Sequence, residues 1–173
     1  MRLAAAALLC LCCAPSIPRA GCVIDEDCAA GQSCIAGGCR EGTVTCPTLA
    51  PTFASINQGL FQVGCGARSN VCHSGDGARE TGNGLDLAGD AWAGLLGASG
   101  QGQFAANIAG RVEGLKRVRP GDPANSFLVI KLKLASKSDP QYGAGMPIDT
   151  PGVICHETVE VISQWIAQGA SRN

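Results

Sequence analysis

The sequence has almost no excess charge of either sign and few aromatic, histidine and methionine residues. Its 13 lysine and arginine residues balance 14 aspartate and glutamate residues, which gives a formal net charge of −1 at pH 7. A nucleic-acid-binding domain typically carries a basic patch, and this balance gives no indication of one. Aromatic residues are limited to 4 Phe, 2 Trp and 1 Tyr, and 24 glycines indicate a loop-rich chain. We therefore expect disulfides to support the core.

The sequence also lacks an apolar run long enough to span a membrane. Its most apolar segment lies at the start, where a basic residue precedes a run over residues 3–14. That run is too short for a bilayer and is typical of a secretory signal, so we predict a signal peptide over residues 1–20. A lipid anchor on Cys10, Cys12 or Cys13 is the alternative, although these cysteines lack the usual small residues before them. Both alternatives predict an exported protein that is periplasmic, extracellular or anchored to the outer membrane.

Cysteine, by contrast, is abundant, with 11 residues in a chain of 173. Loss of the signal peptide leaves eight, and an even number suits disulfide pairing in an oxidising compartment. Four of these fall in residues 21–40, a segment with too few apolar residues for a core, so we predict a disulfide-rich module there. The pairing that we favour joins Cys22 to Cys34 and Cys28 to Cys39.

The main domain covers residues 46–173, follows a linker over residues 41–50, and is predicted to be all-α, with several short helices joined by long loops. Apolar residues recur at helical spacing in four segments, and no alternating run supports a sheet. We expect the helices at about residues 52–61, 89–96, 122–134 and 155–170. In the third helix, Phe127, Ile130 and Leu134 are expected to share a face, with Leu128 and Leu132 alongside.

Charged residues of the main domain are assigned structural roles. Asp86 and Asp122 are expected to cap a helix or close a turn, and Lys131, Lys133 and Lys137 to form a solvated face. A nucleophilic Cys-His pair is disfavoured, because adjacent residues rarely face each other and no third orienting group is evident. We therefore expect an electron carrier or a binding module, and not an enzyme.

The segment Cys65…Cys72-His73 has the residue order by which c-type haem is attached to a chain. Two thiols bind the porphyrin, the histidine after the second cysteine binds iron from one side, and a methionine often binds from the other. The one methionine outside the predicted signal, Met146, stands in a loop, where a core methionine is less often found. The usual motif has two residues between the cysteines, whereas six separate them here, so residues 66–70 (GARSN) must loop out.

Other roles for the same cysteines stay open. A disulfide between Cys65 and Cys72 needs the same loop, so geometry does not separate it from haem attachment. If those two cysteines hold haem, Cys46 and Cys155 are left to pair, whereas without haem the four cysteines allow three pairings. His156 is the alternative distal iron ligand, and the repeated Cys-His pair leaves zinc as a rival metal.

The motifs of residues 46–170, taken in order, resemble those of exported bacterial cytochrome c-like domains. Those domains have a helix, a C…CH segment, a G-L-D-L stretch, V-x-P-G-D-P-x-x-S-x-L-x-x-K-L, G-x-x-M-P and a terminal W-I-x-x-G-A helix. The matching residues here are Cys65, Cys72-His73, Gly84-Leu85-Asp86-Leu87, Val118-Arg119-Pro120-Gly121-Asp122-Pro123, Ser126, Leu128, Lys131-Leu132, Met146-Pro147, Trp165-Ile166 and Gly169-Ala170. The resemblance implies a cytochrome c-like fold, haem c as the cofactor, His73 and Met146 as the axial ligands, and electron transfer with redox partner proteins. A haem-free, disulfide-stapled structural or interaction module with that fold is the alternative.

Overall fold

A computed structural model of the chain describes residues 22, 27–35, 38–41, 46–66, 72–75, 83–105, 114–134, 138–147 and 154–173. The predicted signal peptide, the cysteines considered for a lipid anchor and Lys137 lie outside these residues, as does most of the predicted loop between Cys65 and Cys72. No helix in the described ranges combines the length and the apolar character that a membrane span needs.

The described part of the cysteine-rich module contains an antiparallel hairpin, formed by β1 (Gln32–Ile35) and β2 (Gly38–Glu41). In this hairpin the backbone of Cys34 lies opposite that of Cys39. A disulfide joins Cys28 to Cys39, which is the pairing favoured from the sequence, with a Cα–Cα distance of 5.5 Å. Cys22 is also disulfide-bonded. The side chain of Cys34 lies outside the described atoms, so its pairing with Cys22 stays a prediction.

The described part of the main domain contains four α-helices: α1 (Phe53–Ile56), α2 (Ala91–Leu96), α3 (Phe127–Leu134) and α4 (His156–Ala167). α1 continues directly into a π-helical segment, Asn57–Cys65, and the two together are called the first helix below. Thr52 and Asp90 cap α1 and α2, because the side chain of each accepts a hydrogen bond from the backbone N–H three residues later. These bonds satisfy donors that the start of a helix leaves unpaired.

Two further aspartates have the capping and turn roles expected of them. The Asp122 carboxylate accepts the N–H of Asn125, at 3.2 Å, and so caps the 3₁₀ turn that leads into α3. The Asp86 carboxylate accepts the N–H of Ala88, at 2.9 Å, and closes the turn before α2. Both side chains therefore shape the backbone locally.

The prediction of an all-α chain is wrong, because two antiparallel strand pairs stand beside the helices. The second pair, β3 (Ser138–Asp139) and β4 (Gly143–Ala144), closes the loop that follows α3. Strands of two to four residues are too short to show the alternation by which a strand is recognised in a sequence. The Cys28–Cys39 disulfide ties β2 of the first pair to the segment before β1. The Asp139 carboxylate supports the turn of the second pair by accepting the N–H groups of Gln141 and Tyr142.

The core draws on the apolar residues of all four helices. The first helix and α4 bury the residues that recur at helical spacing: Phe53, Ile56, Leu60, Phe61, Val159, Ile162, Trp165 and Ile166. α3 differs from the prediction, because Val129 and Leu132 are buried whereas Phe127, Ile130 and Leu134 are only half-buried. All residues of α3 except two lysines are apolar, so periodicity carries little information about which side faces inward.

A second disulfide joins the start of the main domain to α4. Cys46 precedes α1, Cys155 directly precedes α4, and their Cα atoms are 5.9 Å apart. The same two helices pack through the rings of Phe53 and Trp165, whose centroids are 5.8 Å apart. The prediction that the chain is disulfide-bonded is thus confirmed. Disulfides persist in oxidising compartments, which is consistent with the predicted export.

Candidate functional site

Cys65 is the last residue of the first helix. The π-helical turn before it closes with a hydrogen bond of 2.7 Å from the N–H of Gly66 to the carbonyl of Phe61, which lies five residues earlier. π-helical turns are rare in proteins, and those that occur are often found at functional sites. Cys65 is half-buried and packs against the core, so its thiol is held by the helix and its packing.

Gly66 allows the chain after Cys65 to pass directly against residues 85–88, called the support segment below. A Cβ atom on Gly66 would lie 2.6 Å from the carbonyl carbon of Leu87, far inside van der Waals contact. The Gln62 side chain adds a hydrogen bond of 2.9 Å from Nε2 to the carbonyl of Leu87. The end of the first helix is therefore fastened to the support segment through the backbone.

Gly66→Ala is expected to lower the free energy of unfolding by about 2 kcal/mol, because the added methyl group has no room against the support segment. Gly64→Ala, in the same helix, is the matched control, since a Cβ on Gly64 meets nothing within 4 Å. Urea denaturation of both variants measures the difference. Equal stability of the two variants would contradict the close backbone approach at Gly66.

The support segment also holds His73, on both its ring and its backbone. The ring nitrogen Nδ1 lies 3.2 Å from the carbonyl oxygen of Leu85, and the N–H of Leu87 donates to the His73 carbonyl at 2.7 Å. Because a carbonyl oxygen only accepts, Nδ1 carries the proton in this contact and Nε2 keeps its lone pair. Metal-ligating histidines are oriented in this way, with the second ring N–H donated to a carbonyl or carboxylate.

The surroundings of His73 favour the neutral ring. Burial lowers the pKa of His73, and the charges of Arg117 and Lys131 lower it further, although the hydrogen bond to Leu85 raises it. Neutral imidazole is the form that binds a metal ion. His73 is thus prepared to act as a ligand through Nε2 at neutral pH.

Arg117 is a buried cation that the sequence did not mark, since it stands in a stretch without periodicity. It is only 9% exposed and donates from Nη1 to the Gly94 carbonyl, at 2.7 Å, and from Nη2 to the Asn83 carbonyl, at 2.9 Å. None of the ion pairs among the described residues includes it. Among the described residues, therefore, no carboxylate pairs with the charge of Arg117 that acts on His73.

Cys65 and Cys72 are free thiols, whereas Cys22, Cys28, Cys39, Cys46 and Cys155 are disulfide-bonded. Burial and, to a smaller extent, nearby Cys72 raise the pKa of Cys65 to about 11. The thiolate is the form that attacks electrophiles, so a protonated Cys65 is poorly suited to nucleophilic catalysis. The electrostatic interaction also shows that the two cysteines lie near each other.

The backbone of Cys72 differs from that of a cysteine on a helix. Its φ of 56° lies in the left-handed region, which is uncommon for residues other than glycine, asparagine and aspartate. Cys72 therefore stands in a tight turn, and its thiol does not follow Cys65 along one helix face. Residues 67–71, which join the two cysteines, lie outside the described ranges, so their looping out stays a prediction.

Met146 lies in the loop after β4, where it is half-buried and packs against the core. Its N–H donates to the carbonyl of Lys131, in α3, at 2.9 Å. Because Lys131 also acts electrostatically on His73, Met146 and His73 share this neighbour. Direct interactions and the support segment link Cys65, Cys72 and His73, and Met146 is linked to His73 through Lys131. These four residues, which the sequence predicts to hold haem, are called the candidate haem site below.

The alternative ligands receive less support. His156 is the first residue of α4 and is half-buried, but it is not among the groups that act on His73. The described residues contain two clusters with the spacing of metal ligands, namely Cys22–Cys28–Cys39 and Cys46–Cys155–Glu157. Their cysteines are disulfide-bonded and offer no thiolate to zinc, which excludes the second Cys-His pair from a zinc site.

Comparisons with protein-family models, curated proteins and solved structures find no match for this chain. The function is therefore argued from the chemistry of the donor set. The candidate haem site combines two neighbouring free thiols, one oriented neutral imidazole and one thioether. Covalent haem uses these groups, whereas nucleophilic catalysis needs a thiolate that burial of Cys65 disfavours.

Proposed function

We propose that the chain is an exported, cytochrome c-like electron carrier that binds one haem covalently through Cys65 and Cys72, with His73 and Met146 as axial ligands. One observation carries the proposal: two neighbouring thiols are free, and the imidazole of His73 next to Cys72 has an available Nε2. Five other cysteines are disulfide-bonded, namely Cys22, Cys28, Cys39, Cys46 and Cys155. Neighbouring thiols in an oxidising compartment pair with each other unless another reaction uses them. Thioether formation with a haem vinyl group is such a reaction.

The haem would supply a one-electron couple at its iron. Each thiol would add its sulfur and hydrogen across one vinyl group, which forms one carbon–sulfur and one carbon–hydrogen bond with no gain or loss of electrons. His73 would bind through Nε2 while the Leu85 carbonyl holds its ring, and Met146 would bind from the other side. Ligation by histidine and methionine raises the reduction potential.

The surroundings of the candidate haem site favour the reduced state for a second reason. Arg117 is a buried cation and Lys131 a half-buried one, and both act on His73. Their positive charge disfavours the additional positive charge of oxidised iron. Cys65 and Met146 pack against the apolar core, which limits the access of water. The partners would be redox proteins that meet an exposed haem edge. No substrate is transformed, so the proposed protein is a carrier and not an enzyme.

A visible spectrum of protein exported by a host with haem-attachment machinery tests the proposal. We expect a haem absorption band that stays with the denatured chain, and an intact mass increased by one haem. Cys65→Ser/Cys72→Ser is expected to lose all covalent haem, because both thioethers are removed. The matched control is Cys28→Ser/Cys39→Ser, which removes a disulfide of the N-terminal module and is expected to keep the haem.

A haem-free structural or interaction module is the second candidate. Its support is the six-residue spacing, together with the left-handed backbone of Cys72, since both differ from the usual attachment motif. In that case Cys65 and Cys72 would form a further disulfide. A colourless protein in which thiol titration detects neither residue would establish this and overturn the haem proposal.

A further inference from the structure

Lys131 is half-buried, so the prediction that it shares a solvated face with Lys133 is wrong for this residue. Its ammonium donates to the carbonyl of Tyr142, at 3.1 Å, and to the carbonyl of Ala144. Its own carbonyl accepts the N–H of Met146 at 2.9 Å. One residue of α3 thus binds alternate positions of the segment 138–147, called the methionine loop below.

The ammonium of Lys131 is enclosed by the methionine loop and by α3. It lies 5.6 Å from the centroid of the Phe127 ring, which in turn packs on Tyr142 with 6.4 Å between the centroids. A Cβ atom on Gly143 would lie 3.8 Å from Nζ, so the loop backbone passes directly over the ammonium. Burial lowers the pKa of Lys131, and none of the ion pairs among the described residues includes it. Hydrogen bonds to the loop therefore provide its stabilisation.

Lys133 shows how an unconstrained lysine of the same helix behaves. Its side chain is 58% exposed, and its ammonium lies 3.9 Å from the Glu160 carboxylate. Exposed pairs of this kind contribute little to stability. The difference between the two lysines is thus that Lys131 binds the backbone of the methionine loop, whereas Lys133 faces solvent.

We propose that Lys131 is a positioning residue that clamps the methionine loop to α3 and so presents Met146 to the group that His73 binds. The purpose of this presentation rests on the proposed function, whereas the clamp is a property of the protein alone. Lys131 also acts electrostatically on His73, so the residue that holds the loop of one expected axial ligand is a neighbour of the other. Without the ammonium, the loop loses the hydrogen bonds of its carbonyls to Lys131. It keeps the bond from the Met146 N–H, the short β3–β4 pair and the packing of Tyr142 on Phe127.

Acetylation of the native protein, followed by mass spectrometry, tests the clamp without any substitution. We expect Lys131 to react about tenfold more slowly than Lys133, the factor that corresponds to the net strength of one hydrogen bond. The reason is that the Lys131 ammonium is half-buried and bonded, whereas the Lys133 side chain is exposed. Equal acetylation rates would overturn the clamp, with or without haem.

Substitutions test the effect of the clamp on Met146. Lys131→Met removes the ammonium and keeps an apolar side chain, and Lys133→Met is the matched control. In Lys131→Met we expect hydrogen exchange at the Met146 amide to become about tenfold faster. In haem-loaded protein the same variant is expected to lose the optical signature of methionine-to-iron ligation while the haem stays covalently attached. Lys131→Arg, which retains the donors, is expected to restore both properties in part, and Lys133→Met to change neither.

The outcomes separate the clamp from the proposed function. A wild-type protein without haem overturns the proposed function, and the acetylation and exchange measurements still decide on the clamp. A haem-loaded Lys131→Met protein with unchanged methionine ligation and unchanged exchange at Met146 overturns the clamp alone. If circular dichroism shows that Lys131→Met does not fold, the acetylation rates of Lys131 and Lys133 in the wild type decide whether the clamp exists.

Discussion

Replacing Cys46 and Cys155 together with alanine is expected to lower the free energy of unfolding of the main domain by about 4 to 5 kcal/mol. The disulfide joins residues 109 positions apart, so it removes a large part of the conformational freedom of the unfolded chain. Domains of this size are stable by roughly 5 to 15 kcal/mol, so the variant should be close to unfolding at room temperature. Urea denaturation, followed by far-UV circular dichroism, measures the change.

The control for this experiment is Cys28→Ala/Cys39→Ala, in the N-terminal module. That disulfide spans only 11 positions and is expected to contribute about 3 kcal/mol to the hairpin of β1 and β2. The urea concentration at which the main-domain helices unfold should therefore be the same as in the wild type. A main-domain transition that shifts equally in both double variants would contradict the assigned role of the Cys46–Cys155 bond.

The Cys46–Cys155 bond also determines what the remaining cysteines are free to do. From the sequence, Cys46 and Cys155 pair with each other if the other two cysteines of the main domain hold haem, whereas without haem the four allow three pairings. The structure contains the Cys46–Cys155 bond and leaves Cys65 and Cys72 unpaired. The bond fixes the segment before α1 to the start of α4, whose first helical turns carry buried core residues. The first helix, which ends at Cys65, packs against α4 through Phe53 and Trp165. We therefore expect the disulfide to stabilise the helix that carries Cys65.

The first helix and α4 could be predicted because each has one apolar and one polar side. In α4, for example, Val159, Ile162 and Trp165 are buried, whereas Glu157 is exposed, and this contrast is visible in the sequence. The inward face of α3 could not be predicted, because nearly all its residues are apolar and burial is decided by what packs against it. The two strand pairs were missed because disulfide and turn geometry hold them, and neither leaves an alternating pattern.

For the candidate site, the sequence indicated which side chains have the right chemistry but not what orients them. Cysteine, histidine and methionine are recognisable by their side chains, and the order of their motifs suggested a common site. The Leu85 carbonyl, which fixes the tautomer of His73, belongs to the backbone, and every residue has a carbonyl. Lys131 and Arg117 were missed for a related reason, since a lysine or arginine looks the same in a sequence whether it is exposed or bonded to a loop. Their roles depend on tertiary contacts.

His73→Gly is expected to remove the axial ligand of the haem-loaded protein while both thioethers keep the haem attached. The reason is that the Nδ1 contact with Leu85 leaves Nε2 available to the metal. We expect the low-spin visible spectrum to change to a high-spin one. Added imidazole is expected to restore the low-spin spectrum, because it enters the space that the glycine leaves and supplies the same nitrogen. Titration with imidazole, monitored by absorbance, measures both effects.

The chain offers a matched control for this experiment, because its one other histidine is His156. His156→Gly is expected to leave the spectrum unchanged, since His156 lies at the start of α4 and is not among the groups that act on His73. Met146→Ala should instead remove the methionine signature and leave the His73 ligand in place. A spectrum that changes in His156→Gly and not in Met146→Ala would assign the distal position to His156. An unchanged spectrum in His73→Gly would contradict the proposed proximal ligand, whatever the distal ligand is.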